Sequence, residues 1–115
     1  MEYNIFNERI KKIIDGIEKD EMKCYGAWRK YLNKKLQFPF EAEVFEYQGS
    51  ESFIQAGEKC RVIKIYREED LYGIIVEIKF NNQKKYFPLC DLEALNLDDL
   101  ANQALKDYQV WFANR

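Results

Sequence analysis

Apolar residues recur every three to five positions as far as Leu36, alternate from Phe40 onward, and return to helical spacing after Asn96. A chain whose buried side chains follow a helical period, then a period of two, then a helical period again cannot form one kind of layer. Helices at the two ends must pack on a sheet made from the middle, which is an α+β arrangement.

Ile5, Phe6, Ile10, Ile13, Ile14 and Ile17, then Tyr25, Trp28, Leu32 and Leu36, predict a helical region over 4–36, as one bent helix or a helical hairpin. Its weak point is Gly16 to Glu21, because glycine lowers helix propensity and Asp20 can cap a second segment running to about Lys35. Phe38-Pro39-Phe40 ends it, since proline drives the preceding residue into an extended conformation. Phe40, Ala42 and Val44 then alternate with Glu41, Glu43 and Phe45 in a first strand. Further strands are predicted over 58–67, 72–80 and 84–89, with Ile74, Val76, Ile78 and Phe80 on one face and Glu77 and Lys79 turned away. Asn81-Asn82 suits a tight turn, and Pro88 marks an edge or an exit. A tight Asp91-Leu92-Glu93 turn completes the layout of a small SH3-like twisted antiparallel sheet or barrel of four to five strands over 40–95. Asn96 can cap a C-terminal helix over 97–113, with Asp98 and Asp99 in its first turn, where their charges favour the helix dipole. Leu97, Leu100, Ala101, Ala104, Leu105, Tyr108, Trp111 and Phe112 form its apolar stripe.

A length of 115 residues without a linker-like stretch predicts a single domain over 1–115. The first residues carry no basic and apolar leader, and no window approaches the roughly 18 apolar residues of a membrane span, so a cytoplasmic protein without a membrane partner is expected. Three cysteines at wide spacing, with no histidine in the chain, signal neither a disulfide framework nor a zinc site. Reduced, mostly buried thiols are the expectation. Without histidine there is no Ser-His or Cys-His nucleophile pair, and no glycine-rich phosphate loop is present, so the chain is not expected to be an enzyme. A net charge of −2 argues against nucleic acid, and Arg29, Lys30, Lys34 and Lys35 read as the outer side of the second helix. Tyr25, Trp28, Tyr31, Tyr108, Trp111 and Phe112, at helical spacing, read mostly as core, with a small aromatic platform for a peptide as the alternative.

What remains for chemistry is carboxylate. Acidic residues gather at Glu18, Asp20 and Glu21; at Glu41, Glu43 and Glu46; at Glu68, Glu69 and Asp70; and at Asp91, Glu93, Asp98 and Asp99. The Glu68-Glu69-Asp70 triplet is the densest. Successive carboxylates at a hairpin tip repel one another, and either a divalent cation or a nearby lysine relieves that repulsion. A solvated turn that keeps the sheet soluble is the alternative. The run from Asp91 to Asp99 lacks the spacing and central glycine of an EF-hand loop, so calcium held there would sit in a shallow, weak site.

Four segments carry a family likeness: Leu36-Gln37-Phe38-Pro39-Phe40-Glu41-Ala42, Tyr72-Gly73-Ile74-Ile75-Val76, Phe87-Pro88-Leu89-Cys90-Asp91-Leu92-Glu93, and the aromatic helix from Asn102 to Arg115. Together they resemble the bacterial CcbP-like calcium-binding family over nearly the whole chain. The resemblance implies a cytoplasmic protein that binds calcium through clustered surface carboxylates, becomes more compact on doing so, and serves as a buffer or sensor. On this sequence the implied ligands are Glu68, Glu69 and Asp70 at one site and Asp91, Glu93, Asp98 and Asp99 at another, with low affinity because the chain is only mildly acidic. The competing expectation is an SH3-like protein–protein interaction module, its partner unknown, that holds no metal.

Overall fold

The computed structural model describes residues 5–115, with side chains from Glu8 onward. The expected helix start at Asn4 and the apolar faces of Ile5 and Phe6 lie outside the described residues. The helical region is two helices, α1 (Ile5–Ile14) and α2 (Glu21–Lys35). Gly16 takes φ +83 just after α1, a left-handed conformation open to a residue without Cβ. Asp20 starts α2, its carboxylate accepting the Lys23 N–H at 3.1 Å. The extended backbone of Leu36 then leads into β1 (Phe40–Val44).

After a loop come β2 (Lys59–Glu69), β3 (Gly73–Phe80), β4 (Gln83–Pro88) and β5 (Leu92–Ala94), followed by α3 (Asp99–Asn114). The five strands form one antiparallel sheet in the order β4-β3-β2-β1-β5, so β4 and β5 are its edges. Asn81 and Asn82 make the β3–β4 turn with φ of +51 and +63. β2 carries register shifts between Val62 and Lys64 and between Ile65 and Arg67. Such bulges bend a strand, and the bend lets the start of β2 pair with β1 while the remainder follows β3.

Three expectations near the C-terminal end are corrected. Asp91-Leu92-Glu93 is not a tight turn; a 3₁₀ turn at Leu89–Asp91 precedes β5, which pairs with β1 through Leu92–Val44, Glu93–Glu43 and Ala94–Ala42. Leu92 is buried and Glu93 exposed, an alternation too short to recognise without its partner strand. Asn96 does not cap α3. Asp98 does, accepting the Ala101 N–H at 2.8 Å, while Asn96 Oδ1 accepts the Glu41 N–H at 2.8 Å and ties the chain to β1. Leu100 leaves the apolar stripe and faces solvent, because at about 100° per residue it falls to the side of the face that Ala101, Ala104, Leu105 and Tyr108 bury.

The core lies between α2, α3 and one face of the sheet. Trp28, Leu32, Leu105 and Tyr108 meet Val62, Ile74, Val76, Ile78 and Leu89. Tyr25 contacts Trp111 edge-on at 5.5 Å and Trp28 contacts Tyr108 at 5.6 Å; Tyr25, Trp28 and Tyr108 are core as expected, while Tyr31, Trp111 and Phe112 pack against it half-buried. α1 is fastened to α3 by a two-pronged ion pair, Arg9 Nε and Nη2 donating to the Asp107 carboxylate at 2.7 and 2.9 Å. Asp107 is fully buried, and its hydrogen bonds hold the Arg9 guanidinium in its charged form with a raised pKa. The opposite face of the sheet, bearing Arg61, Tyr66, Lys79, Lys84 and Tyr86, is exposed.

Candidate cation-binding surface

Glu68 and Glu69 close β2, and Asp70 begins the turn to β3. The turn is fixed from beneath. Tyr108 lies under Gly73, and its hydroxyl accepts the Ile74 N–H at 2.9 Å. The Tyr25 hydroxyl sits 3.2 Å from the Asp70 carbonyl oxygen and accepts from Arg115 Nε at 2.8 Å. Arg115 Nη2 also donates to the Leu71 carbonyl at 3.2 Å. Burial raises the pKa of both phenols, so these contacts are made by neutral hydroxyls.

The three tip carboxylates do not converge on one point. Glu68 takes Arg29 of α2 at 2.6 Å, Glu69 takes Arg67, and among the described residues Asp70 makes no ion pair. Arginine thus supplies the relief that the sequence assigned to a divalent ion or a lysine.

The second expected group divides along β5. The Phe45 N–H donates to the Asp91 carbonyl at 3.1 Å, whereas the Leu95 N–H donates to the Glu41 carbonyl at 2.8 Å. Asp91 therefore sits at one end of β1, and Asp98 and Asp99 follow from the other end, with about 13 Å of strand between Asp91 and Leu95. Asp91 accepts from Gln48 Nε2 at 3.1 Å, Asp98 is committed to the helix cap, and Asp99 is exposed in the first turn.

Glu93 has a different neighbour. It stands directly opposite Glu43 of β1, in a strand pair that brings Cβ atoms to about 4.5–5.5 Å. Among the described residues neither carboxylate makes an ion pair, although Lys59 is in register with Glu43 on the other side; Glu41, two residues away, is paired with Arg61 at 2.7 Å. Glu43 was legible as an outward-facing strand residue, but not as the partner of Glu93.

Among the described residues no three His, Cys, Asp or Glu side chains group as a ready metal cage. The thiols add no ligand. Cys24 and Cys60 are buried and Cys90 partly so, all of them free, and burial pushes Cys60 up to about 11 and Cys90 up to about 12. What the surface offers is hard oxygen donors, alone or in a pair, open to water. That donor set fits calcium or magnesium and does not suit soft metals.

Fold and donors together define a small α+β domain suited to holding a hard divalent cation at its surface. The family model described as "Calcium binding", for proteins of the CcbP type, matches residues 8–112. The chain belongs to this calcium-binding family. It is similar in structure to the crystal structure of Anabaena CcbP, with a TM-score of 0.78, 24% identity, and coverage of 98% of this chain and 94% of that one. It is also similar to a calcium-binding protein in the calcium-binding form, with a TM-score of 0.75, 21% identity, and coverage of 95% and 90%. Comparison with curated proteins gives no match.

Proposed function

We propose that this protein binds calcium weakly through separate acidic patches on its surface and acts as a cytoplasmic, non-catalytic bacterial buffer or sensor of the ion. The observation that carries the reading is the Glu43–Glu93 pair, two carboxylates opposed across neighbouring strands, neither of them in an ion pair among the described residues. Like charges in that position cost sheet stability. A divalent ion between them replaces repulsion with attraction. Calcium accepts roughly six to eight oxygens in loose geometry, of which Glu43 and Glu93 can supply some and water the rest. So few charged ligands place the affinity near the weak end, about 10⁻⁴–10⁻³ M. At Glu68, Glu69 and Asp70 the ion must first displace Arg29 or Arg67, and at Asp98 and Asp99 it competes with the helix cap. Those residues form secondary sites.

Amide and side-chain carboxyl NMR during calcium titration, with magnesium as a control, tests this. Shifts should concentrate at Glu43 and Glu93, and at Asp91 beside them, and should vanish in the Glu43→Gln/Glu93→Gln variant. Shifts spread evenly over all acidic side chains, or none at millimolar calcium, would defeat it. Compaction measured by small-angle scattering separates a sensor, which changes shape, from a buffer, which does not. A second reading, an SH3-like interaction module, is supported by the strand order, by the 3₁₀ turn between β4 and β5, and by exposed tyrosines on another part of the surface.

A further inference from the structure

The exposed face of the sheet is divided by charge. Its β1–β5 edge carries Glu41, Glu43 and Glu93, whereas β2, β3 and β4 carry Lys59, Arg61, Lys64, Arg67, Lys79 and Lys84 against Glu69 and Glu77. Most of these charges are matched: Arg61 is paired with Glu41 and Arg67 with Glu69, while Lys59 stands in register with Glu43 and Lys64 with Glu77. Lys79 and Lys84 have no such counterpart. They stand directly opposite one another, with Arg61 in register on the far side of Lys79, and among the described residues neither lysine makes an ion pair. Like charges opposed across strands destabilise a sheet, and an anion lying over them relieves the cost. The net charge of −2 is therefore an average over a segregated surface.

Two features adjoin the row Arg61–Lys79–Lys84. Lys59, Arg61, Lys79, Asn81 and Asn82 line an open depression of about 420 Å³, whose one carboxylate, Glu41, is already held by Arg61. Two residues along β4 from Lys84, about 7 Å away on the same face, Tyr86 stacks on Tyr66 with ring centroids 4.3 Å apart, each residue 43% exposed. Arg67 lies over the Tyr66 ring at 5.7 Å, and Tyr86 borders a shallow groove with Tyr72, Ile75 and Pro88 in which Glu69 is held by Arg67.

We propose that the β2–β4 half of this face binds single-stranded RNA, its phosphates lying along Arg61, Lys79 and Lys84 and an unpaired base stacking on Tyr86. The cations alone would accept any polyanion. The tyrosine pair selects among them, because every nucleobase has a π-face to stack, an acidic peptide has none at its carboxylates, and a duplex keeps its bases covered. The side-chain amides of Asn81 and Asn82 both donate and accept hydrogen bonds at the rim of the depression, which suits the 2′-hydroxyl that DNA lacks. The inference goes beyond the calcium reading and is independent of it, since the acidic pair Glu43–Glu93 lies at the other edge of the sheet.

Fluorescence anisotropy of a labelled oligouridylate, titrated with the full chain in EDTA over a range of salt concentrations, tests this. Binding should be saturable and should weaken as salt rises. Lys79→Gln/Lys84→Gln should flatten the log–log salt slope by about 1.4, because each phosphate contact on a single strand contributes about 0.7. Tyr86→Ala should weaken binding about tenfold with the slope unchanged, and Tyr86→Phe should retain it, as stacking requires. Lys30→Gln/Lys34→Gln removes the same charge from α2 and should change neither quantity. All these positions are at the surface, and urea midpoints no lower than that of the unsubstituted chain will show that the variants fold. No binding at low salt, or an equal loss in the α2 variant, would overturn the site. Equal binding of oligothymidylate would overturn the choice of RNA, and tighter binding of polyglutamate would overturn the role given to the tyrosines.

Discussion

Replacing Gly73 with alanine should strike the support of the β2–β3 hairpin directly. Gly73 has φ +68, and an added Cβ would lie 2.5 Å from the Tyr108 hydroxyl oxygen and 2.7 Å from Phe112 Cε1. Tyr108 cannot retreat. It is fully buried, its hydroxyl accepts the Ile74 N–H at 2.9 Å, and its ring is packed against Trp28 at 5.6 Å and Trp111 at 6.2 Å. A left-handed backbone costs a non-glycine residue about 1–2 kcal/mol, overpacking about 1–3 kcal/mol, and the disturbed hydrogen bond about 1 kcal/mol. A net loss of about 4 kcal/mol follows, which for a domain of this size lowers Tm by about 15 °C. Urea unfolding followed by tryptophan fluorescence measures it. Tyr108→Phe removes the closest atom, so Gly73→Ala should cost less in that background by about 1 kcal/mol, a coupling that a double-mutant cycle isolates. A loss below about 1 kcal/mol, or strict additivity with Tyr108→Phe, would refute the contact argument.

Arg9→Met leaves the fully buried Asp107 carboxylate without its partner and should cost about 3–5 kcal/mol in urea unfolding, with most of the loss recovered in Arg9→Met/Asp107→Leu; an unrecovered loss would show that α1 is fastened by something other than this pair. Burial raises Cys60 from 9.0 to about 11 and Cys90 to about 12, so the unfolded chain loses these protons first. Their contribution is complete below about pH 9 and is lost as pH rises through about 11 to 12. The urea midpoint should therefore fall between about pH 8 and about pH 11, and fall less in Cys60→Ala/Cys90→Ala; an equal fall in both proteins would remove the thiols from the explanation.

The period of the side chains made the layers legible because burial itself sets that period. Phe40, Ala42 and Val44 are buried and Glu41 and Glu43 are not, as their alternation required. Partner choice left no such trace. β5 is three residues long, so nothing local distinguishes Leu92–Ala94 from a turn, and the Glu43–Glu93 pair exists only because that short strand joins β1. Glu68 read as an unpaired charge because its arginine lies 39 residues away on α2. Asn96 and Asp98 are both good capping residues, and local sequence does not choose between them. The choice is made by the Glu41 N–H, which draws Asn96 to the sheet edge and leaves the cap to Asp98.

The carboxylates of this fold divide into those the native state already uses and those it does not, and the division decides how calcium can act on it. Glu21, Glu41, Glu68, Glu69 and Asp107 each face an arginine, and Asp20 and Asp98 each hold a helix N–H. An ion at any of these must break a contact that folding made, so its gain is a difference between two attractions. At Glu43 and Glu93 it would break no ion pair among the described residues, with Lys59 in register with Glu43 and Lys106 beside Glu93 as its nearest rivals. That pair also sits at the most thinly fastened edge of the sheet, where β5 meets β1 through three residue pairs immediately before α3 begins. Under the proposed reading, calcium bound there stabilises the β1–β5 pairing and, through it, the entry of the C-terminal helix.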